Sequence, residues 1–187
     1  SILYEYKLLI DGFIRKNCRI EEDKINYEHN FIIPNLTLIN ERNNEIYNAP
    51  YGWWGVALNI SGNNIDNTWL NKYSKEWVIC YYDFDFGKHF STEKICDILN
   101  KIIMNKVLPD YNSNIKSSFN DIRNIGKKTG VGHYLTPYID IAEKQCGIIS
   151  FNNKRYKIVL MAKVLKSKIK EPDDRSFWII FDEKDIH

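Results

Sequence analysis

The stretch Glu76 to Phe86, EWVICYYDFDF, is the strongest constraint on what this chain can fold into. Its β-branched and aromatic side chains lose rotamer freedom in a helix and pack well on a pleated surface, so the segment is read as a strand. Alternation assigns its faces: Val78, Cys80 and Tyr82 share one, and Ile79, Tyr81 and Asp83 share the other.

Other segments follow the same reasoning. Residues 2–10 alternate, with Tyr4, Tyr6, Leu8 and Ile10 on one parity; Asp11-Gly12 then offers a turn and Phe13 to Ile20 a second extended run, which predicts a hairpin. Residues 21–50 are polar and Asn-rich with short apolar pieces, and read as loop and short strand around the core. In YGWWGVALNI (51–60), Trp54, Val56, Leu58 and Ile60 alternate as a strand closed by SGNN. Ser91 or Thr92 can cap a helix in which Ile95, Ile98, Leu99, Ile102 and Ile103 recur at three and four residues, running to about Lys106 ahead of Pro109.

Residues 109–128 read as a polar loop, and 130–147 as strand, turn and helix, with Thr136-Pro137 at the helix start and Ile139, Ala142 and Cys146 at helical spacing. RYKIVLMAKVL (155–165) reads as a strand, EPDD (171–174) as a turn and SFWIIF (176–181) as a further strand. Strands dominate with one or two helices, an α+β pattern.

At 187 residues the chain has the size of one domain. A net charge of +2, from 26 Lys and Arg against 24 Asp and Glu, makes no strong field, so neither nucleic acid nor an anionic membrane is indicated as a partner. KNCR, NIGKK and KVLKSKIK are small basic clusters of the kind found on solvated surfaces. No apolar run approaches the roughly 18 residues of a membrane span. The four cysteines at 18, 80, 96 and 146 lack metal-binding spacing and no leader pattern opens the chain, so free thiols and an intracellular protein, cytoplasmic or nuclear, are expected. The sequons at Asn35 and Asn59 carry meaning only in a secreted chain.

Gly130-Val131-Gly132 lacks the third glycine and the strand-before-helix order of a dinucleotide fingerprint. The longer segment GVGHYLTPYIDIAEKQ, however, resembles the second signature of the poly(ADP-ribose) polymerase-like ADP-ribosyltransferases, a Gly-x-Gly-x-Tyr strand leading into a helix. Around it, in family order, EWVICYYDF is similar to the strand that bears a His-Gly pair, and RSFWIIF to the strand that bears a catalytic glutamate. Gly52-Trp53, Ala57-Leu58, Glu76-Trp77, Phe177-Trp178 and Asp185-Ile186 extend the likeness to a divergent eukaryotic branch over residues 52–187.

The resemblance implies an α+β fold of split, curved antiparallel β-sheets with one or two helices, whose cleft binds NAD. It implies a domain over 51–187 and one more edge strand beyond His187; residues 1–50 have no counterpart in the family and are read, from their own pattern, as a hairpin and loop extension packed on that domain. In the family, the His holds the adenine-side ribose, the Gly backbone the nicotinamide amide, two tyrosines the ring and the glutamate the nicotinamide ribose, where charge develops as the glycosidic bond breaks. On this sequence those positions carry Tyr82, Asp83, Tyr134, Gln145 and Ser176, so only Tyr134 keeps its identity.

Tyr82 is longer than imidazole, the Asp83 carboxylate crowds the nicotinamide position, Gln145 offers no ring to stack and Ser176 is too short for the glutamate's role. The expected outcome is a noncatalytic binding module with a degenerate NAD pocket and a protein partner. One alternative is an active mono-ADP-ribosyltransferase that uses NAD through Tyr82 and Tyr134. Another is a cleft turned to cysteine-based peptide or isopeptide hydrolysis or acyl transfer on Cys80, paired with His89 or His133, or on Cys146. Buried cysteines are commonly inert, which is the expected state of Cys18, Cys80, Cys96 and Cys146. By strand parity His133 faces away from Tyr134 and is expected to be a surface or structural histidine.

Overall fold

A computed structural model describes residues 1–32, 40–42, 45–47, 52–59, 67–70, 74–82, 90–106, 133–171 and 177–187. The chain opens with helix α1 (Ile2–Leu8), where the Ser1 hydroxyl accepts from the Tyr4 amide at 3.4 Å. It continues through wide π-type turns over Leu9–Asn17, in which the amides of Cys18 and Ile20 reach back five residues to the carbonyls of Phe13 and Arg15. The expected hairpin over residues 2–20 is therefore corrected to a helical segment.

The burial pattern explains the difference. Tyr6, Ile10 and Phe13, spaced by four and three residues, form the buried stripe, while Tyr4 and Leu8 of the apparent alternation are exposed. Asp11-Gly12 makes no turn; a Cβ on Gly12 would lie 2.6 Å from Cζ of Phe151, so glycine here permits close packing.

Short turns at Glu22–Lys24 and Tyr27–His29 follow. Ile25 bridges Leu58, and the Asn59 side-chain amide donates to the Asp23 carbonyl at 2.7 Å. Strand β1 (Phe31–Ile32) pairs with β4 (Trp54–Gly55), and β2 (Asn40–Arg42) pairs with β3 (Glu45–Tyr47). The strand expected over 51–60 is thus reduced to Trp54–Gly55 and the single bridge at Leu58.

Strand β5 (Trp77–Tyr82) and helix α2 (Thr92–Asn105) stand where the sequence places them. The Ser91 hydroxyl caps α2 by accepting from the Lys94 amide at 3.2 Å, and Lys106 closes it in the left-handed region at φ 55. Strand β6 (His133–Leu135) leads to α3 (Ile139–Gln145), with Thr136 Oγ1 accepting from the Tyr138 amide at 3.1 Å. The expected loop over 109–128 lies outside the described residues.

The 155–165 strand divides into β8 (Lys154–Lys157) and β9 (Leu160–Leu165). Strand β8 forms a hairpin with β7 (Ile148–Phe151) through Asn152 and Asn153, both at positive φ, 49 and 59, as a primed two-residue turn requires. Strand β10 (Trp178–Ile180) is the last. Of EPDD only Glu171 is described.

All strand pairings among the described residues are antiparallel, in small sheets, so the fold is α+β. β5 pairs with β9, β6 with β10, and a bridge between Tyr81 and Thr136 sets β5 beside β6. Ile186 bridges Val164, and His187 exchanges backbone hydrogen bonds with Lys163 of β9 at 2.7 and 2.9 Å.

One hydrophobic core takes Tyr6, Ile10, Phe13, Cys18, Ile20 and Ile25 from the N-terminal segment together with Cys80, Tyr82, Leu99, Leu135, Val164 and Ile180. The first 25 residues are part of that core. Burying each large apolar side chain contributes about 1.5–3 kcal/mol, so the segment is held by packing, with the Glu5–Lys154 ion pair outside it. All four cysteines are buried and unbridged. No helix among the described residues is long and apolar enough to cross a membrane.

Candidate functional site

Paired residues on neighbouring strands point to the same side of a sheet. The Tyr81 and Thr136 backbones exchange hydrogen bonds of 2.7 and 3.0 Å, so these two side chains share a face. Tyr134 lies two residues from Thr136 and joins that face, with Ile179 as its partner across the β6–β10 ladder. Tyr82 lies one residue from Tyr81 and turns to the opposite face, as does Leu135. The structure therefore separates Tyr82 from Tyr134.

The two faces differ in character. The Tyr82 face carries Cys80, Leu135, Val164 and Ile180 into the core, and Tyr82 itself is 1% exposed. On the other face Tyr81 and Thr136 are buried, Tyr134 is half-buried and α3 packs against β5. Of the two expected site residues whose side chains are described, Tyr134 is within reach of solvent and Tyr82 is not. Gln145 ends α3 on the backbone level, and its side chain lies outside what the structure describes. Asp83 and Ser176 lie outside the described residues, as does His89.

His133 shares the Tyr82 face and is buried, with Nε2 3.7 Å from Oε1 of Glu183. The structural reading of this histidine agrees with its position; the surface reading does not. Cys80 is fully enclosed, its thiol donates to the Ala162 carbonyl at 3.7 Å, and burial pushes it far above the usual thiol range. A nucleophile needs the thiolate and access to a substrate, and this position supplies neither. The Cys146 thiol donates to the Glu143 carbonyl at 3.4 Å. Among the described residues no group of three or more His, Cys, Asp or Glu is placed to hold a metal ion.

A cluster around His187 has no counterpart in the sequence reading. The His187 ring stacks on Trp69 with centroids 5.1 Å apart and planes at 12°, and meets Trp77 at 5.1 Å and 60°. Lys163 Nζ donates to the Trp69 carbonyl at 2.8 Å, tying the turn over Asn67–Leu70 to β9. The aromatic identities are visible in sequence, but the contacts join segments remote along the chain, so no local pattern announces them. Comparison with known protein families, with curated proteins and with solved structures finds no match for this chain.

Proposed function

We propose that the chain is an ADP-ribosyltransferase-like domain that has lost NAD turnover and acts as a binding module for a protein partner. The observation that carries the reading is the placement of Tyr82. This residue stands where the resembled family keeps its ribose-binding histidine, and its side chain is 1% exposed, in the core, on the face opposite Tyr134. A side chain enclosed there cannot line a cleft in which Tyr134 would stack on the nicotinamide ring.

The neighbour relations of the strands support the scaffold half of the reading. The three segments that carry the resemblance occupy β5, β6 and β10, and these strands lie side by side in that order. The lost identities support the functional half. Without the histidine, the second tyrosine and the glutamate, little remains to orient the nicotinamide or to stabilise an oxocarbenium-like state as its glycosidic bond breaks. A net charge of +2 supplies no field for nucleic acid, which leaves a protein as the expected partner.

Titration calorimetry with NAD and an assay for released nicotinamide test the proposal. The expected result is no saturable heat at millimolar NAD and no nicotinamide above the uncatalysed rate. Micromolar binding accompanied by nicotinamide release would overturn it.

A further inference from the structure

Backbone hydrogen bonds hold His187 against two tryptophans. Its amide donates to the Lys163 carbonyl and its carbonyl accepts from the Lys163 amide, while Lys163 stands opposite Ile79 in the β5–β9 ladder. Residues opposite one another share a face, so the side chains of His187, Lys163 and Ile79 lie on one side, and Trp77, two residues from Ile79, joins them. The imidazole stacks on Trp69 with planes at 12° and meets Trp77 at 60°, with centroids 5.1 Å apart in each case. Both tryptophans are buried, whereas His187 is exposed, so protons from solvent reach the imidazole.

We propose that the segment Asp182–His187 is a pH-sensitive strap, closed over Trp69 and Trp77 when His187 is protonated and loosened when it is neutral. An imidazolium over the face of an indole, with centroids within about 6 Å, gains a cation–π attraction that a neutral ring lacks. Histidine ordinarily titrates near about pH 6.5, which places the change around neutrality. Because the protonated form holds the rings more strongly, this stabilisation is fully present below that range and is lost as pH rises through it. Loosening takes the imidazole off the two indole rings.

The charges around the ring are compatible with protonation. Among the described residues, neither β5 nor the turn Asn67–Leu70 contains a charged side chain; of their titratable groups Tyr81 shares the face of His187, while Cys80 and Tyr82 turn into the core. On β9 Lys163 is the one charged residue, and its ammonium, directed to the Trp69 carbonyl at 2.8 Å, opposes a second cation. Within the strap Lys184 pairs with Asp182 at 2.7 Å, which leaves the carboxylates of Glu183 and Asp185 to offset that opposition. Glu183 also lies 3.7 Å from Nε2 of His133, a second histidine contact of the same segment.

Melting temperatures of the native full chain, His187→Phe and His187→Arg, measured at about pH 5.5 and about pH 7.5, test the proposal on either side of the histidine range. Phenylalanine keeps a ring that gains no proton, and arginine keeps a planar cation at both pH values. His133 is present in all three chains, so its own titration cancels in the differences. The margin of the native chain over His187→Phe should be about 1–4 °C larger at the lower pH, the effect of one exposed cation–π contact in a domain of this size. His187→Arg should match the native chain at the lower pH and exceed it at the higher. An equal margin over His187→Phe at both pH values would overturn the proposal, as would a His187→Arg chain that keeps the native pH dependence. In a nuclear magnetic resonance titration Trp69→Leu should lower the midpoint of the His187 ring by about 0.4–0.7 of a pH unit. An unchanged or higher midpoint would refute the part given to Trp69.

Discussion

Tyr6 donates its phenolic hydrogen to the carbonyl of Gly55 and meets the ring of Trp54 edge-on, with centroids 5.4 Å apart and planes at 77°. This pair of contacts docks the N-terminal helix on β4. Burial raises the Tyr6 pKa from 10.0 to about 12, so between those values the folded chain keeps a proton that the unfolded chain has lost. The associated stability is fully present below pH 10.0 and is lost as pH rises towards about 12. Tyr6→Phe should cost about 1 kcal/mol at neutral pH by removing the hydrogen bond, and should flatten the alkaline decline. Urea denaturation across pH measures both, and an unchanged alkaline decline would refute the assignment.

Gly12→Ala sets helix propensity against packing. Alanine in place of glycine gains up to about 1 kcal/mol within a helix. Its Cβ, however, would lie 2.6 Å from Phe151 Cζ and push that ring off its edge contact with Phe13, now 5.7 Å between centroids. Overpacking should win, with a net loss of about 1 kcal/mol and a lower melting temperature. A rise in melting temperature would show that the Phe151 ring yields freely.

Tyr82→Ala should destabilise the chain by about 3–5 kcal/mol, the usual cost of deleting a buried aromatic side chain. Tyr82→His restores the residue the resembled family carries, yet it should also lose stability and gain no affinity for NAD, because the imidazole would sit in the core. Denaturation midpoints and calorimetry check the two statements separately. Saturable NAD binding by Tyr82→His would mean that position 82 borders a cleft.

The β7–β8 turn offers a backbone test. Asn153 sits at φ 59, a conformation that costs most L-residues about 1–2 kcal/mol, β-branched ones above all, and Asn or glycine little. Asn153→Val should therefore lose about that much, while Asn153→Gly should be neutral or slightly stabilising. Equal melting temperatures for the two variants would argue against the left-handed turn.

Features decided within a few residues were legible in advance. The α2 helix follows from the Ser91 cap and apolar residues at three and four spacing, and the two faces of β5 follow from alternation over Trp77–Tyr82. The Asn152-Asn153 turn is written in its residue types, both of which tolerate positive φ. The N-terminal segment is ambiguous in sequence, because Tyr6, Ile10 and Phe13 fit a helix while Tyr4, Tyr6, Leu8 and Ile10 fit a strand. What separates the two patterns is cover by Trp54 and Phe151, from other parts of the chain.

The candidate site divides in the same way. Which residues stand at positions 82, 134 and 145 is a fact of the sequence, as is the shared parity of Cys80 and Tyr82. That Tyr82 and Tyr134 face opposite sides depends on the Tyr81–Thr136 bridge, and the hydrogen bond from Asn100 to the Cys18 carbonyl on the docking of the N-terminal segment against α2. Alternation, capping and turn chemistry act between near neighbours and leave their mark in order along the chain. Register between distant strands and contact across a core are set by burial summed over many residues, and no short stretch contains that sum.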